Sequence, residues 1–98
     1  MVLFNGFSDQ SYLTIDLSGH STDAQGYFVI CGDAANVAGC DLDISPDSDL
    51  IQNGADAVAL YQAAVADFPN NTAVTTTNLI DALVYDTDDN DDSGLLVL

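Results

Sequence analysis

All 16 acidic residues of the chain are Asp, and the sequence contains no Glu, Lys or Arg. The short Asp side chain hydrogen-bonds to nearby backbone and favours turns, whereas Glu, Lys and Arg suit helix interiors. This composition therefore predicts a turn-rich β protein. Hydrophobic residues make up 48% of the 98 positions, which is enough for a folded core and argues against a disordered acidic tail. We expect one domain spanning residues 1–98.

The formal net charge of −16 limits the partners that the chain can bind. Without a cation to neutralise phosphate, the chain should repel nucleic acid and anionic lipid. High salt or multivalent cations reduce the repulsion among these charges, so the composition favours a saline or calcium-containing environment outside the cell. An acidic surface can also serve solubility alone. No apolar run approaches the roughly 20 residues of a membrane-spanning helix, so we expect no membrane insertion.

Asn-Gly pairs and single Gly residues divide the sequence into short apolar pieces, a pattern typical of an all-β sandwich. Alternation in "SYLTIDLSG" predicts a strand with Leu13, Ile15 and Leu17 facing inward. The nearly continuous apolar run "GYFVICG" predicts a central strand covered on both faces. "NLIDALVYD" predicts a further strand late in the chain.

The segment between the Asn53-Gly54 turn and Pro69 is ambiguous between helix and strand. Its Ala content favours a helix that stops at Pro69, whereas Val58 and Leu60 suit a strand leaving the turn. We expect a strand over residues 56–62 and a short helical turn over residues 63–67.

Four pieces of the chain carry a family resemblance: "YLTIDLSG", "DAQGYFVI", "LIQNGADAVALYQ" and "NLIDALVYDTDDNDDSGLLVL". Together they resemble the lamin-tail domain of secreted bacterial proteins, among which are extracellular nucleases and large surface proteins. The resemblance implies an immunoglobulin-like β-sandwich over nearly the whole chain. Its most specific piece is the block Gln52–Tyr61.

The chain departs from that family at both ends. Family members begin with one or two further strands before the segment that matches "VLFNG", and they run on past "LLVL". Here the two ends are apolar and strand-like, which would leave unpaired backbone groups. Either the chain is a fragment of a longer protein, or a neighbouring subunit supplies the missing strand by strand addition.

The densest acidic stretch is the loop "DTDDNDD" near the end of the chain. It fails the EF-hand rule, because Asp91 stands where that loop needs Gly and Val97 stands where it needs a bidentate Glu. Calcium binds oxygen ligands in flexible geometry, so a looser calcium site and a solvated turn both stay open. The candidate ligands are Asp86, Asp88, Asp89, Asn90, Asp91 and Asp92.

A second acidic set lies in "DLDISPDSD" and consists of Asp41, Asp43, Asp47 and Asp49. Alternation along a strand would place the first two on one face, where they could contribute to another metal site. The same pattern is also typical of the outward polar face of a sheet, and we favour that interpretation.

The two cysteines, Cys31 and Cys40, are nine positions apart around a small, Gly-containing loop. This spacing favours a disulfide, with free thiols and a metal site as the alternatives. Zinc is disfavoured because His20 is the only histidine that could complete a ligand set. A disulfide would place the protein outside the cytosol.

Catalytic chemistry has little support in the sequence. No nucleophile elbow surrounds His20, which reads as a turn residue, and no cation is available to hold a phosphate group. We therefore predict no catalytic residues and no enzyme activity. The triplet Asn70-Asn71-Thr72 is a glycosylation sequon in a polar loop, so Asn70 is a candidate acceptor.

These features predict a non-catalytic, extracellular structural or adhesive module. We expect it to self-assemble as a strand-complemented oligomer or filament, or to join a larger surface protein through its exposed strand ends, with calcium as a stabilising ion. The alternative is an accessory domain of a secreted nuclease or phosphatase-type enzyme.

Overall fold

The computed structural model describes residues 1–88 and 93–98. In these residues it has six strands and two 3-10 turns. The strands are β1 (Val2–Asn5), β2 (Gln10–Thr14), β3 (Ile30–Cys31), β4 (Leu42–Asp43), β5 (Asp56–Tyr61) and β6 (Leu79–Tyr85), and the turns are Val65–Asp67 and Leu95–Val97. The all-β class is confirmed, and the immunoglobulin-like sandwich stays a prediction.

The chain divides into two compact units. The first unit comprises Met1–Leu17 and Gln52–Leu98, and the second comprises Ser18–Ile51. The single domain over residues 1–98 stays a prediction. Across the described parts of the chain, no helix has the length and apolar character that a membrane span requires.

The first unit is built on an antiparallel sheet in the order β2-β1-β5-β6. One face of this sheet forms the hydrophobic core. The small Ala residues of β5 lie on this face. The ring centroid of Tyr61 lies 4.4 Å from that of Phe68 and 6.3 Å from that of Phe4. The buried members are Val2, Phe4, Ala57, Ala59, Tyr61, Phe68 and Leu95. Period-two alternation of β1 and β5 thus assembles this core.

Two predictions for the middle of the chain are confirmed. The strand expected over residues 56–62 is β5, and the helical turn expected over residues 63–67 is the 3-10 turn Val65–Asp67. The Asp67 carboxylate accepts the Ala64 N–H at 3.0 Å, which holds this turn. Propensity alone favoured a helix here, but pairing with β1 and β6 supplies strand hydrogen bonds on both sides of β5.

Both apolar ends of the sequence are packed within the first unit, so the prediction of bare strand ends is wrong. β1 is a central strand, paired with β2 on one side and β5 on the other. "LLVL" forms a 3-10 turn rather than a strand, with Leu95 fully buried in the core and Leu98 packed against it. An apolar tetrapeptide satisfies its hydrophobic requirement equally well in either conformation, so its composition could not distinguish them.

The two edges of the four-stranded sheet differ. The backbone of Ser11 on β2 exchanges hydrogen bonds with Asn71 and Thr72, at 2.7 and 2.8 Å. The Thr14 hydroxyl donates to the Phe68 carbonyl at 2.7 Å, which ties the same edge down further. In contrast, no strand or bridge of the described chain pairs with the outer edge of β6.

The second unit contains the two-residue strands β3 and β4, which pair in parallel. The prediction that "GYFVICG" forms a doubly covered central strand is wrong, because only its Ile30–Cys31 part is a strand and Tyr27 is 70% exposed. The reason is local: the Asp23 carboxylate accepts the N–H groups of Gln25 and Tyr27, which holds the start of the run in a turn.

A disulfide joins Cys31 to Cys40 in the second unit, with Cα atoms 5.9 Å apart. This confirms the predicted pairing over free thiols or a metal site. Next to it, Gly32 is closely packed, since a Cβ there would lie 2.7 Å from the backbone oxygen of Pro46. A unit with only two short strands gains its order from such cross-links and turns.

Candidate functional site

The predicted calcium loop follows β6 directly. Asp86 is exposed and has a positive φ of 57°, and Asp88 is also exposed. The other candidate ligands, Asp89, Asn90, Asp91 and Asp92, lie outside the described residues. Calcium binding by this loop therefore stays a prediction.

Asp9, in the turn between β1 and β2, is an acidic residue that sequence reasoning missed. Its Oδ1 atom is buried and has no hydrogen-bond partner within the described chain. The carboxylate lies against Gly94, where an added Cβ would overlap all three carboxylate atoms. Only folding brings these distant positions together, so the sequence carries no local signal for this contact.

The second acidic set does not converge on one point. Asp41 Oδ2 accepts the Val29 N–H at 2.8 Å, and Asp47 and Asp49 are exposed loop residues. Asp43 lies near the disulfide, with its Oδ1 atom 3.9 Å from the Cys31 sulfur.

The described residues bring together one group of three possible metal ligands, which consists of Cys31, Cys40 and Asp43. Its two sulfur atoms are bonded to each other, and a disulfide cannot supply the thiolates that bind a metal. This group is therefore part of the structural framework of the second unit.

Several Asp carboxylates of the chain are used to hold turns. Asp33 accepts the backbone N–H groups of Ala35 and Asn36 at 3.0 and 3.2 Å, and the Asn36 side-chain amide at 2.6 Å. That side-chain bond is the main cause that holds the pKa of Asp33 below its ordinary value, with the two backbone bonds contributing. Asp23, Asp41 and Asp67 accept backbone N–H groups in the same way.

The remaining predicted positions are exposed. Asn70 lies in a surface turn, where the Thr72 hydroxyl of its sequon donates to the Pro69 carbonyl at 2.5 Å. Glycosylation of Asn70 stays a prediction. His20 is exposed and its ring lies 5.2 Å from that of Phe28, which suits the turn role expected for it.

The sequence also did not predict a buried polar cluster at one end of the sheet. Asp56 is only 3% exposed, and its Oδ1 atom accepts the Gly6 N–H at 3.0 Å. The Tyr85 hydroxyl lies 3.5 Å from Asp56 Oδ2 and 3.3 Å from the Gln52 carbonyl oxygen. Burial, and then the neighbouring charges of Asp56 and Tyr12, raise the pKa of Tyr85 well above its ordinary value.

This cluster joins three adjacent strands. In register, Asn5 on β1 is opposite Asp56 on β5, which is opposite Tyr85 on β6. The Asn5 side-chain amide also donates to the Gln52 side-chain oxygen at 2.5 Å. Because a buried carboxylate needs its donors, the cluster disfavours any other register of these strands.

The β6 strand carries exposed apolar side chains. Ile80 is 60% exposed and Leu83 is 64% exposed, although both lie within a strand. Between them, Asp81 Oδ1 accepts the N–H of the next residue, Ala82, at 2.9 Å. The strand therefore offers apolar side chains and one carboxylate beside an edge that no other strand in the described part of the chain pairs with.

Comparison of the chain with protein-family models, curated proteins and solved structures returns no match. The lamin-tail resemblance therefore stays a prediction from the sequence.

Proposed function

We propose that the chain is a non-catalytic, extracellular structural or adhesive module. It joins a larger assembly when a strand of a partner pairs with the outer edge of β6. The observation that carries this proposal is the outer edge of β6, which pairs with no strand among residues 1–88 and 93–98, with Ile80 and Leu83 exposed on the strand. In strand addition, main-chain hydrogen bonds supply affinity, and alternate side chains supply specificity.

The contrast between the two sheet edges supports this proposal. An exposed strand edge attracts other strands, and proteins usually cover it with a loop or charge it. The backbone of residues 69–74 covers the β2 edge, and the Val74 N–H donates to the Asp9 backbone carbonyl as part of that cover. The β6 edge has one charge, Asp81, between two exposed apolar side chains.

The extracellular setting belongs to the same proposal. The Cys31–Cys40 disulfide persists in oxidising compartments, where secreted proteins work. The all-β fold is compatible with an immunoglobulin-like module of the lamin-tail kind, which would connect rather than catalyse.

An extended, neutral peptide tests the proposed strand addition. We would titrate the nitrogen-15-labelled chain with an eight-residue peptide of alternating Val and Thr and follow the amide NMR signals. Signals of β6 should shift, including those of Ala82 and Val84, while those of β2 should not. The doubly substituted chain Ile80→Lys, Leu83→Lys should lose this response, because charge replaces the apolar contact.

Leu96→Lys supplies the matched control, since Leu96 is 60% exposed and lies outside the sheet. This variant should bind the peptide like the unmodified chain. Sedimentation velocity over a range of chain concentrations, with and without calcium, measures self-association in parallel. A chain that stays monomeric and shows no β6 response to any extended peptide would contradict the proposal.

A further inference from the structure

We infer that the strand accepted by β6 belongs to a different protein and places a Lys or Arg opposite Asp81, with an apolar residue two positions away opposite Leu83. This inference rests on the proposed strand addition and names the partner. It follows from hydrogen bonding at the edge, from the face on which the side chains lie, and from charge.

Hydrogen bonding at Ala82 shows which backbone groups face outward. Its N–H donates to the Asp81 carboxylate, so this amide is not directed along the ladder to β5. Because N–H groups alternate in direction along a strand, the Val84 N–H faces the same side. An incoming strand would therefore meet outward amides from both residues.

Displacement of the Asp81 carboxylate creates the need for a cation. When an incoming carbonyl takes the Ala82 N–H, the carboxylate loses its donor and becomes partly covered by the added strand. An unpaired carboxylate in such a place is costly, whereas a facing Lys or Arg restores a charged hydrogen bond. The chain itself has neither residue type to offer.

The side-chain register defines the spacing of the recognised residues. Asp81 is opposite Leu60 and Leu83 is opposite Val58, so both β6 side chains lie on the same face of the sheet. On an added strand, the residues opposite them are therefore two apart. The cation meets Asp81, and the apolar side chain extends the row formed by Val58 and Leu83.

A second copy of this chain does not fit the edge well. It would bring a further net charge of −16 and another Asp81, with no Lys or Arg to place opposite the first. Like charges that face each other across strands are destabilising. Charge complementarity thus selects a basic, extended segment of another protein.

The test compares three eight-residue peptides of alternating Val and Thr that carry Lys, Thr or Glu at one central position. Calorimetry should show the Lys peptide binding tightest and the Glu peptide weakest, with roughly a two- to fivefold change in affinity at each step, as for one cross-strand charge pair. The preference for Lys should decrease with added salt.

Asp81→Asn removes the charge and keeps an oxygen acceptor for the Ala82 N–H. It should bring the Lys and Thr peptides to equal affinity, whereas the control Asp67→Asn, at an exposed residue of the 3-10 turn, should leave their difference intact. Equal binding of the Lys and Thr peptides to the unmodified chain would overturn the inference and leave strand addition standing.

Two other outcomes are decisive. Concentration-dependent self-association that shifts the β6 amide signals would identify a second copy as the occupant and overturn the inference. If no peptide binds and the chain stays monomeric, strand addition itself is wrong, and the proposed function fails together with the inference.

Discussion

At the scale of single residues, the preference for Asp over Glu has a structural reason. Asp23 and Asp33 each accept at least two backbone N–H groups from residues two to four positions ahead. The longer Glu side chain does not favour these short-range bonds, which belong to Asp, Asn, Ser and Thr. The charge of the molecule is in part a consequence of how its loops are held.

Asp56 provides the residue-scale prediction, because its buried carboxylate accepts the Gly6 N–H. Asp56→Ala should lower the free energy of unfolding by about 1–3 kcal/mol, since that donor and the Tyr85 hydroxyl lose their acceptor. Asp56→Asn keeps an oxygen acceptor and should cost less. Urea unfolding followed by tyrosine fluorescence measures both, and equal losses for the two variants would show that the hydrogen bond is not the cause.

At the scale of elements, the C-terminal 3-10 turn separates a core residue from its exposed neighbours. Leu95 is fully buried in the core of the first unit, whereas Leu96 next to it is 60% exposed. The two leucines thus have the same chemistry and opposite surroundings. The turn packs "LLVL" against the core, whereas the sequence pattern predicted an exposed strand available to a partner.

Leu95→Ala should lower the free energy of unfolding by about 2–5 kcal/mol, because it removes packed methyl groups and leaves a cavity. Leu96→Ala, the matched control, should change it by less than about 0.5 kcal/mol. Thermal and urea unfolding report the difference. Similar effects at the two positions would mean that "LLVL" is not packed in this way.

At the scale of the whole molecule, the formal charge of −16 favours cation binding wherever carboxylates gather. We predict calcium binding by the acidic loop, measured by titration calorimetry. Asp88→Ala should reduce the heat of binding, because it removes one ligand of that loop, whereas Asp47→Ala, in the second acidic set, should not. Absence of heat with the unmodified chain, or equal heats with Asp88→Ala, would contradict this prediction.

Three tyrosines make the stability of the first unit sensitive to alkaline pH. Burial is the main cause that raises the pKa of Tyr12, Tyr61 and Tyr85. The unfolded chain therefore releases phenol protons first, at its ordinary pKa of about 10. Above that pH the folded state binds more protons than the unfolded state, so the free energy of unfolding falls as pH rises. The loss continues until the phenols of the folded state ionise.

Urea midpoints measured between neutral pH and about pH 11 test this alkaline loss. Tyr85→Phe should flatten the decline, because phenylalanine has no proton to release. Tyr27→Phe, at a residue that is 70% exposed, supplies the control and should leave the decline unchanged. A midpoint that stays constant across this pH range would show that the phenols ionise alike in both states.

Features that depend on near neighbours in the chain were predictable from the amino-acid sequence: the β class, the strand and turn within residues 56–67, the late strand, and the Cys31–Cys40 pairing. Each follows from alternation, turn chemistry or short spacing. The end of a strand was less predictable than its presence: alternation continues to Leu17, but β2 ends at Thr14 and Ile15 is buried beyond the strand.

Long-range packing determines which sheet edge is open in the described part of the chain, which leucine of the C-terminal turn is buried, and where Asp9 and Asp56 lie. These outcomes depend on contacts between residues far apart in sequence, such as the bond between Gly6 and Asp56, which are 50 positions apart. Local pattern sets the conformation a segment favours, whereas its partner depends on the packing of the whole sheet. The candidate interaction edge at β6 can therefore be identified only from the strand order of the folded sheet.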